Sequence, residues 1–238
     1  MPDIIDATRL AFGLLIGLDP TLLGVIALSL RVSVSASIAA AAIGLPLGAG
    51  LAIFRFPGRP LLILAANALL GLPPVVVGLA LYLLLSRSGP LGGLGLLFTP
   101  TAMAIAQFLL ALPIVVAFGH RVLAGIWQDY GDALLVDGLT RLRSIPHIIA
   151  IGRLGAMTAG LAGFGRSVSE VGAILLVGGN IAGYTRTMTT SIVLETDEGN
   201  FAYALALGMV LIVISLAVSG LAFAIEARSR RTPSREIS

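Results

Sequence analysis

Residues 22–54 read LLGVIALSLRVSVSASIAAAAIGLPLGAGLAIF, and Arg31 is the only charged residue among them. A hydrocarbon layer near 30 Å is crossed by about 20 apolar residues in a helix rising 1.5 Å each, so this stretch is longer than one crossing needs. Its start, up to Arg31, is expected to project beyond the hydrocarbon. Four more apolar stretches follow, at 61–85, 100–119, 147–177 and 201–225. None shows the alternation of a membrane β-barrel strand. The chain therefore reads as an all-α polytopic bundle of about five spanning helices. Its composition agrees: 57% of the 238 residues are hydrophobic, 11% are charged, and the mean hydropathy is +1.02. A soluble domain carries about a quarter charged residues, which excludes an ordinary water-soluble enzyme.

Ahead of the first span, residues 3–18 mix an apolar face with Asp3, Asp6 and Arg9, and a break follows from Gly17 to Pro20. This predicts a short interfacial helix and an N-terminal segment over 1–20. Acidic residues stand where a secretory signal would be basic, so the segment is read as retained. The membrane domain is expected over 21–226, with a polar, disordered tail over 227–238.

All 15 basic residues are arginine, and there is no cysteine. Without lysine the chain cannot build a phosphate-binding P-loop, and without cysteine it has no disulfide or thiolate metal site. The arginines lie between apolar stretches rather than on one patch, so they report topology and not nucleic-acid binding. Arg55, Arg59, Arg121, Arg141, Arg143 and the tail arginines Arg228, Arg230, Arg231 and Arg235 fall on one side, with Arg9, Arg31, Arg87 and Arg186 on the other. That bias predicts an N-terminus outside and a C-terminus in the cytoplasm.

Span two contains Gly71-Leu72-Pro73-Pro74-Val75-Val76-Val77-Gly78. Adjacent prolines remove two backbone donors, so the helix must bend or break there, either as a packing kink or as the lining of a transport route. Pro113 in span three poses the same choice, with a kink favoured. Small residues recur every fourth position at Ala36, Ala40, Gly44 and Gly48, and at Gly155, Ala159 and Gly163. Such stripes let helices approach closely, within a subunit or between two.

The connection over 121–146 interleaves Trp127, Leu134, Leu135, Leu139 and Leu142 with Asp129, Asp132, Asp137, Arg141 and Arg143 around Gly138. The spacing predicts two short amphipathic helices meeting at a glycine hinge, a knob suited to a soluble partner. Asp132-Ala133-Leu134, then Gly138 and Leu139, resembles the EAA loop of ABC importer permeases. Asp132 stands for the Glu, Leu134 for the second Ala, and the Leu-Pro that often follows is absent. Residues 163–173, GFGRSVSEVGA, are similar to a segment of permeases for molybdate, sulfate and tungstate. The continuation through Gly178-Gly179-Asn180, Thr185-Arg186-Thr187-Met188-Thr189-Thr190 and Leu194-Glu195-Thr196 looks most like tungstate-type permeases.

On these residues the chain is identified as a member of the MetI-like family of binding-protein-dependent inner-membrane components. The resemblance implies a homodimer with two cytoplasmic ATPase subunits and an extracytoplasmic binding protein, importing an oxyanion by alternating access. It also implies that Asp132, Ala133, Leu134, Gly138 and Leu139 contact the ATPase. The chain itself is expected to hold no cofactor, because ATP and magnesium are used by the partner.

Arg166 and Glu170 share a helix face. Either they close as an intramembrane pair, or Arg166 offers a passing oxyanion a favourable potential that the carboxylate partly cancels. With Pro73, Pro74 and Arg186 they are the candidate pathway residues. Arg186, beside Thr185, Thr187, Thr189 and Thr190, could meet a released oxyanion, but Glu195, Asp197 and Glu198 follow, which favours a docking surface for the binding protein. His120 and His147 read as hydrated loop residues, and Trp127 as an anchor. An ion-driven secondary transporter is the alternative, although only Glu170 could carry a proton. A membrane enzyme would need a polar catalytic set that the spans lack.

Overall fold

The computed structural model describes residues 4–231, which form ten α-helices and no strand: α1 Ile4–Ile16, α2 Pro20–Ile53, α3 Arg59–Ala68, α4 Pro74–Leu85, α5 Pro100–Val136, α6 Ser144–Ile151, α7 Arg153–Val168, α8 Gly172–Gly178, α9 Met188–Asp197 and α10 Phe201–Arg231. Three of them, α2, α5 and α10, are long and apolar enough to cross a membrane singly. Two bent pairs bring the count to as many as five: α3 with α4 at 100°, and α6 with α7 at 84°.

Local chemistry starts the long helices where they begin. Asp19 accepts the Leu22 N–H at 2.9 Å and Pro20 fills the first turn of α2. Thr99 accepts the Ala102 N–H at 3.3 Å with Pro100 in the first turn of α5. A side-chain acceptor satisfies a free helix-end donor, and proline loses nothing there. Pro46 and Pro113 lie inside α2 and α5, and both helices run through them. Pro113 is thus a packing residue rather than a break.

The core is built on α5, which packs along α2, α7 and α8, while α10 packs against α1, α7 and α9. Both small-residue stripes face inward within this one chain. A Cβ on Gly44 would lie 2.9 Å from Val115, one on Gly163 also 2.9 Å from Val115, and one on Gly155 would collide with Val122. Gly48 meets backbone instead: its Cβ would stand 2.8 Å from the His120 nitrogen and 3.0 Å from the Val116 carbonyl oxygen. Outward, α2, α4 and α10 present Ile38, Ile43, Leu79, Leu83, Ile212 and Leu216.

α1 forms where the short N-terminal helix is expected, and it is anchored by Ala11, fully buried in a cluster with Leu22, Val25, Ala206 and Leu207. Two expectations are corrected. Residues 147–177 are not one continuous helix: α6 turns off at Gly152, whose position is crowded by Leu123 and Ile126 of α5, and a second break separates α7 from α8. The helix of the last span continues to Arg231, past the start expected for the tail, because nothing in Arg228-Ser229-Arg230-Arg231 breaks a helix. Residues 232–238 of that tail lie outside the described residues.

Since Gly48 abuts backbone that cannot rotate away, Gly48→Ala should destabilise the α2–α5 contact by about 1–3 kcal/mol, as overpacking does. Gly50→Ala, where nothing stands within 4 Å of a Cβ, should not. Thermal melting of the two purified variants checks this, and equal midpoints would refute the close approach.

Candidate functional site

The two interrupted segments meet. Pro73 and Pro74 cannot donate to a preceding turn, so α3 tightens into a 3-10 turn at Leu69–Gly71 and α4 restarts with Pro74 in its first turn. On the other side α7 stops at Val168 and α8 begins at Gly172. A Cβ on Gly172 would lie 2.7 Å from the Val75 side chain, and one on Gly78 would lie 2.6 Å from the Ala173 Cα. Glycine at both positions is what allows the breaks to touch.

Stopping a helix inside a membrane protein frees backbone groups that must find partners within the protein. Here side chains supply them. Gln107 of α5, 2% exposed, donates from Nε2 to the Ser167 carbonyl at 2.9 Å. Thr189 donates to the Glu170 carbonyl at 2.7 Å. Glu170 accepts the Ala173 N–H on Oε1 at 3.0 Å, and its Oε2 accepts from Arg166 Nη1 at 2.7 Å. The closed pair that spacing allowed is therefore present, with an asymmetry that spacing could not give: the Arg166 side chain is 29% exposed and that of Glu170 is 3%. Gln107 was missed in the sequence, although an amide alone in an apolar span is itself a signal. Gln107 Oε1 and Ser167 Oγ are buried beside this joint without a hydrogen-bond partner among the described residues.

The threonines from Thr185 to Thr190 hold the fold. Thr185, Thr187, Thr189 and Thr190 are all buried. Thr185 donates to the Gly178 carbonyl at 2.6 Å and accepts the Ile181 N–H at 2.8 Å. Thr187 and Thr190 form a capping box at the start of α9, whose Met188 N–H goes to Ser29 Oγ of α2 at 2.7 Å. Their hydroxyls are thus not available to a released oxyanion. Arg186 is half-buried, and its Nε is buried without a hydrogen-bond partner among the described residues.

At the opposite end α5 runs without interruption past Arg121 to Val136, so the first of the two short helices expected there is the end of the span itself. It stops in a Schellman motif: Leu139 N–H bonds the Leu134 carbonyl at 3.1 Å, Gly138 N–H bonds the Leu135 carbonyl at 3.1 Å, and Gly138 has φ +85°. No atom crowds a Cβ at Gly138, so the glycine answers a backbone angle and not a close approach. Asp132, Ala133 and Gly138 are exposed, while Leu134 and Leu139 are half-buried. Leu134 packs with Trp127 onto Ala49, Ile53, Leu123 and Ile148. The turn also leaves Val136 86% and Leu142 68% exposed, an apolar projection ringed by Asp132, Asp137, Arg141 and Arg143.

The histidines are also corrected. His120 sits within α5 over Gly48 rather than in a loop, because the helix does not end where the apolar run does. His147 lies on α6, its Nδ1 2.9 Å from the Arg143 carbonyl oxygen.

Gln107→Leu and Thr189→Val each leave a buried carbonyl at the α7–α8 break with one bond fewer. Each should cost about 1–3 kcal/mol. Folded yield and melting in detergent measure this, and wild-type values for both would mean that the break needs neither bond.

No protein-family model matches the chain. Among curated proteins it is 41% identical over 220 residues to a probable anion ABC transporter permease protein of Haloferax volcanii, covering 90% of this chain and 93% of that protein. It is 37% identical to the tungstate uptake system permease protein TupB of Peptoclostridium acidaminophilum, over 95% of this chain and 99% of that one. The sulfate transport system permease protein CysT of Salmonella typhimurium is more distant, at 30% identity over 83% of this chain and 74% of its own length. With paired helix breaks, a projecting Gly138 turn and similarity along nearly the whole sequence, the chain belongs to the anion ABC transporter permeases.

Proposed function

We propose that this chain is the membrane subunit of an ATP-driven importer for tungstate, with molybdate and then sulfate as the next candidates, working as a homodimer with two cytoplasmic ATPase subunits and an extracytoplasmic binding protein. The observation that carries this is the turn after α5. It places exposed apolar and charged side chains at the end of a helix that also contacts both breaks, so a partner gripping the turn acts on the route directly. Asp132, Ala133, Leu134, Gly138 and Leu139 form the grip. Nucleotide binding and hydrolysis belong to the partner, since this chain has no lysine for a phosphate loop.

The route passes the breaks, where Pro73, Pro74, Arg166 and Glu170 lie, and Arg186 belongs to the face that receives the binding protein. ATP closes the ATPase pair, the turns follow, and the helices reopen outward for cargo. The arginine bias puts the Gly138 turn and the C-terminus in the cytoplasm. Tungstate is named ahead of the other oxyanions because the TupB similarity spans nearly all of both chains.

Two experiments test this. In cells carrying the permease with its ATPase and binding protein, Gly138→Val forces a β-branched residue to a positive φ that costs roughly 1–2 kcal/mol. Membrane insertion should be kept, while tungstate uptake and stimulation of ATP hydrolysis by the loaded binding protein both fall several-fold. Wild-type values for both would remove the turn from coupling. A reporter fused after Ser238 should be cytoplasmic and one inserted near Gly93 external, and reversed labelling would overturn the orientation.

A further inference from the structure

We infer that Arg166 is a transient contact for the translocated oxyanion and that Glu170, besides holding the fold, weakens that contact enough for the anion to leave. This rests on the transport function proposed above and adds to it the residue that meets the cargo.

The pair is built with its positive end outward. Glu170 is buried with both oxygens committed, Oε2 to Arg166 and Oε1 to the Ala173 N–H. Arg166 commits Nη1 alone to Glu170 and keeps close to a third of its side chain exposed. A guanidinium has five N–H donors, so several remain for a ligand. A pair serving only to lock helices together gains nothing from an open cationic end.

The surroundings fit a passing anion. Along α3, α4, α7 and α8 the charged residues are Arg59 and Arg153, each at the first position of its helix, and Arg166. On the four helices that form the two breaks, Arg166 is thus the one charge away from a helix start among the described residues, with Glu170 in the α7–α8 break beside it. The neighbouring α4 exposes Val75 and Val76, apolar side chains that offer an anion nothing and lower the local dielectric. A tetrahedral dianion crossing this surface finds its favourable contact at Arg166.

Glu170 sets the strength. An uncompensated guanidinium holds a tetrahedral dianion by two parallel hydrogen bonds, and such a grip slows departure. Conduction needs attraction sufficient for entry and weak enough for exit. A fixed carboxylate on the buried side, one bond behind the guanidinium, repels the dianion at slightly longer range than Arg166 attracts it. The net pull is small and short-ranged.

The test uses the complete transporter in lipid nanodiscs, with radiolabelled tungstate as the probe and the binding protein left out of the binding step. Glu170→Gln keeps the size and acceptor of the side chain and removes its charge. It should bind tungstate about tenfold more tightly than wild type, the order expected for one unit charge several ångströms away in partly hydrated protein. Molybdate should displace the label and chloride should not, and maximal uptake should fall several-fold at normal yield. Arg166→Gln together with Glu170→Gln leaves no unpaired charge, so the double variant should assemble, bind no tungstate and transport more slowly than wild type. Unchanged binding in Glu170→Gln, or wild-type uptake by a well-assembled double variant, would overturn the inference. If Glu170→Gln fails to assemble, uptake by the double variant decides alone. Wild-type transporter that imports tungstate while these variants behave as wild type refutes the Arg166 contact only, whereas wild type that moves no oxyanion refutes the transport function itself.

Discussion

Inside a lipid layer a backbone N–H or C=O that leaves its helix has only the protein to turn to, and each one left unmet costs several kcal/mol. This chain interrupts two of its membrane segments and therefore must supply partners at the interruptions. Apart from Ser33 and Ser37 inside α2, the buried polar side chains serve places where helices stop or start: Gln107 and Thr189 at the end of α7, Glu170 at the start of α8, Thr185 at its end, and Ser29 with Thr187 and Thr190 at the start of α9. Where helices do not stop, the interior is small and apolar, and glycine and alanine bring α2, α5 and α7 into close contact. Polarity at the breaks and closeness between them are two halves of one solution.

Much of this was legible in the residues. Apolar run length located the long helices, the adjacent prolines located the first break, four-residue spacing located the glycine seams and the Arg166–Glu170 pair, and Gly138 marked a turn. These features act within a few positions along the chain. What escaped was long-range. The bond from Met188 to Ser29 joins residues 159 apart, and that from Gln107 to Ser167 joins residues 60 apart. In the sequence, Thr185 to Thr190 belong to a segment that reads as a docking surface, and only their distant partners make them interior. The second break was hidden as well, since Gly152 and the stretch from Ser169 to Val171 contain no proline, and the apolar run passes across them.

The first break divides its span between two neighbours. Arg59 Nε bonds the Leu51 carbonyl at 2.6 Å, and Arg121 Nη2 bonds Asn67 at 2.8 Å, so α3 is tied to α2 and α5 by guanidinium groups at one end of the molecule. Beyond the bend α4 packs on α8. Arginine suits such ties because its planar fork is less strongly hydrated than an ammonium and reaches carbonyls and amides in a fixed direction.

α5 touches almost everything: α2 and α7 along its length, α8 near the breaks, α3 and α6 at its far end. It has 37 residues, which is about 55 Å of unbroken helix. A rod of that length is a mechanical lever. Tilting it by about 10° around one end sweeps the other through about 10 Å, more than the width of a hydrated oxyanion. Because Gly48 presses on its backbone, α2 rides with it as a second rail, and small angular work at one surface becomes a displacement of ångströms at the other without any helix having to unfold.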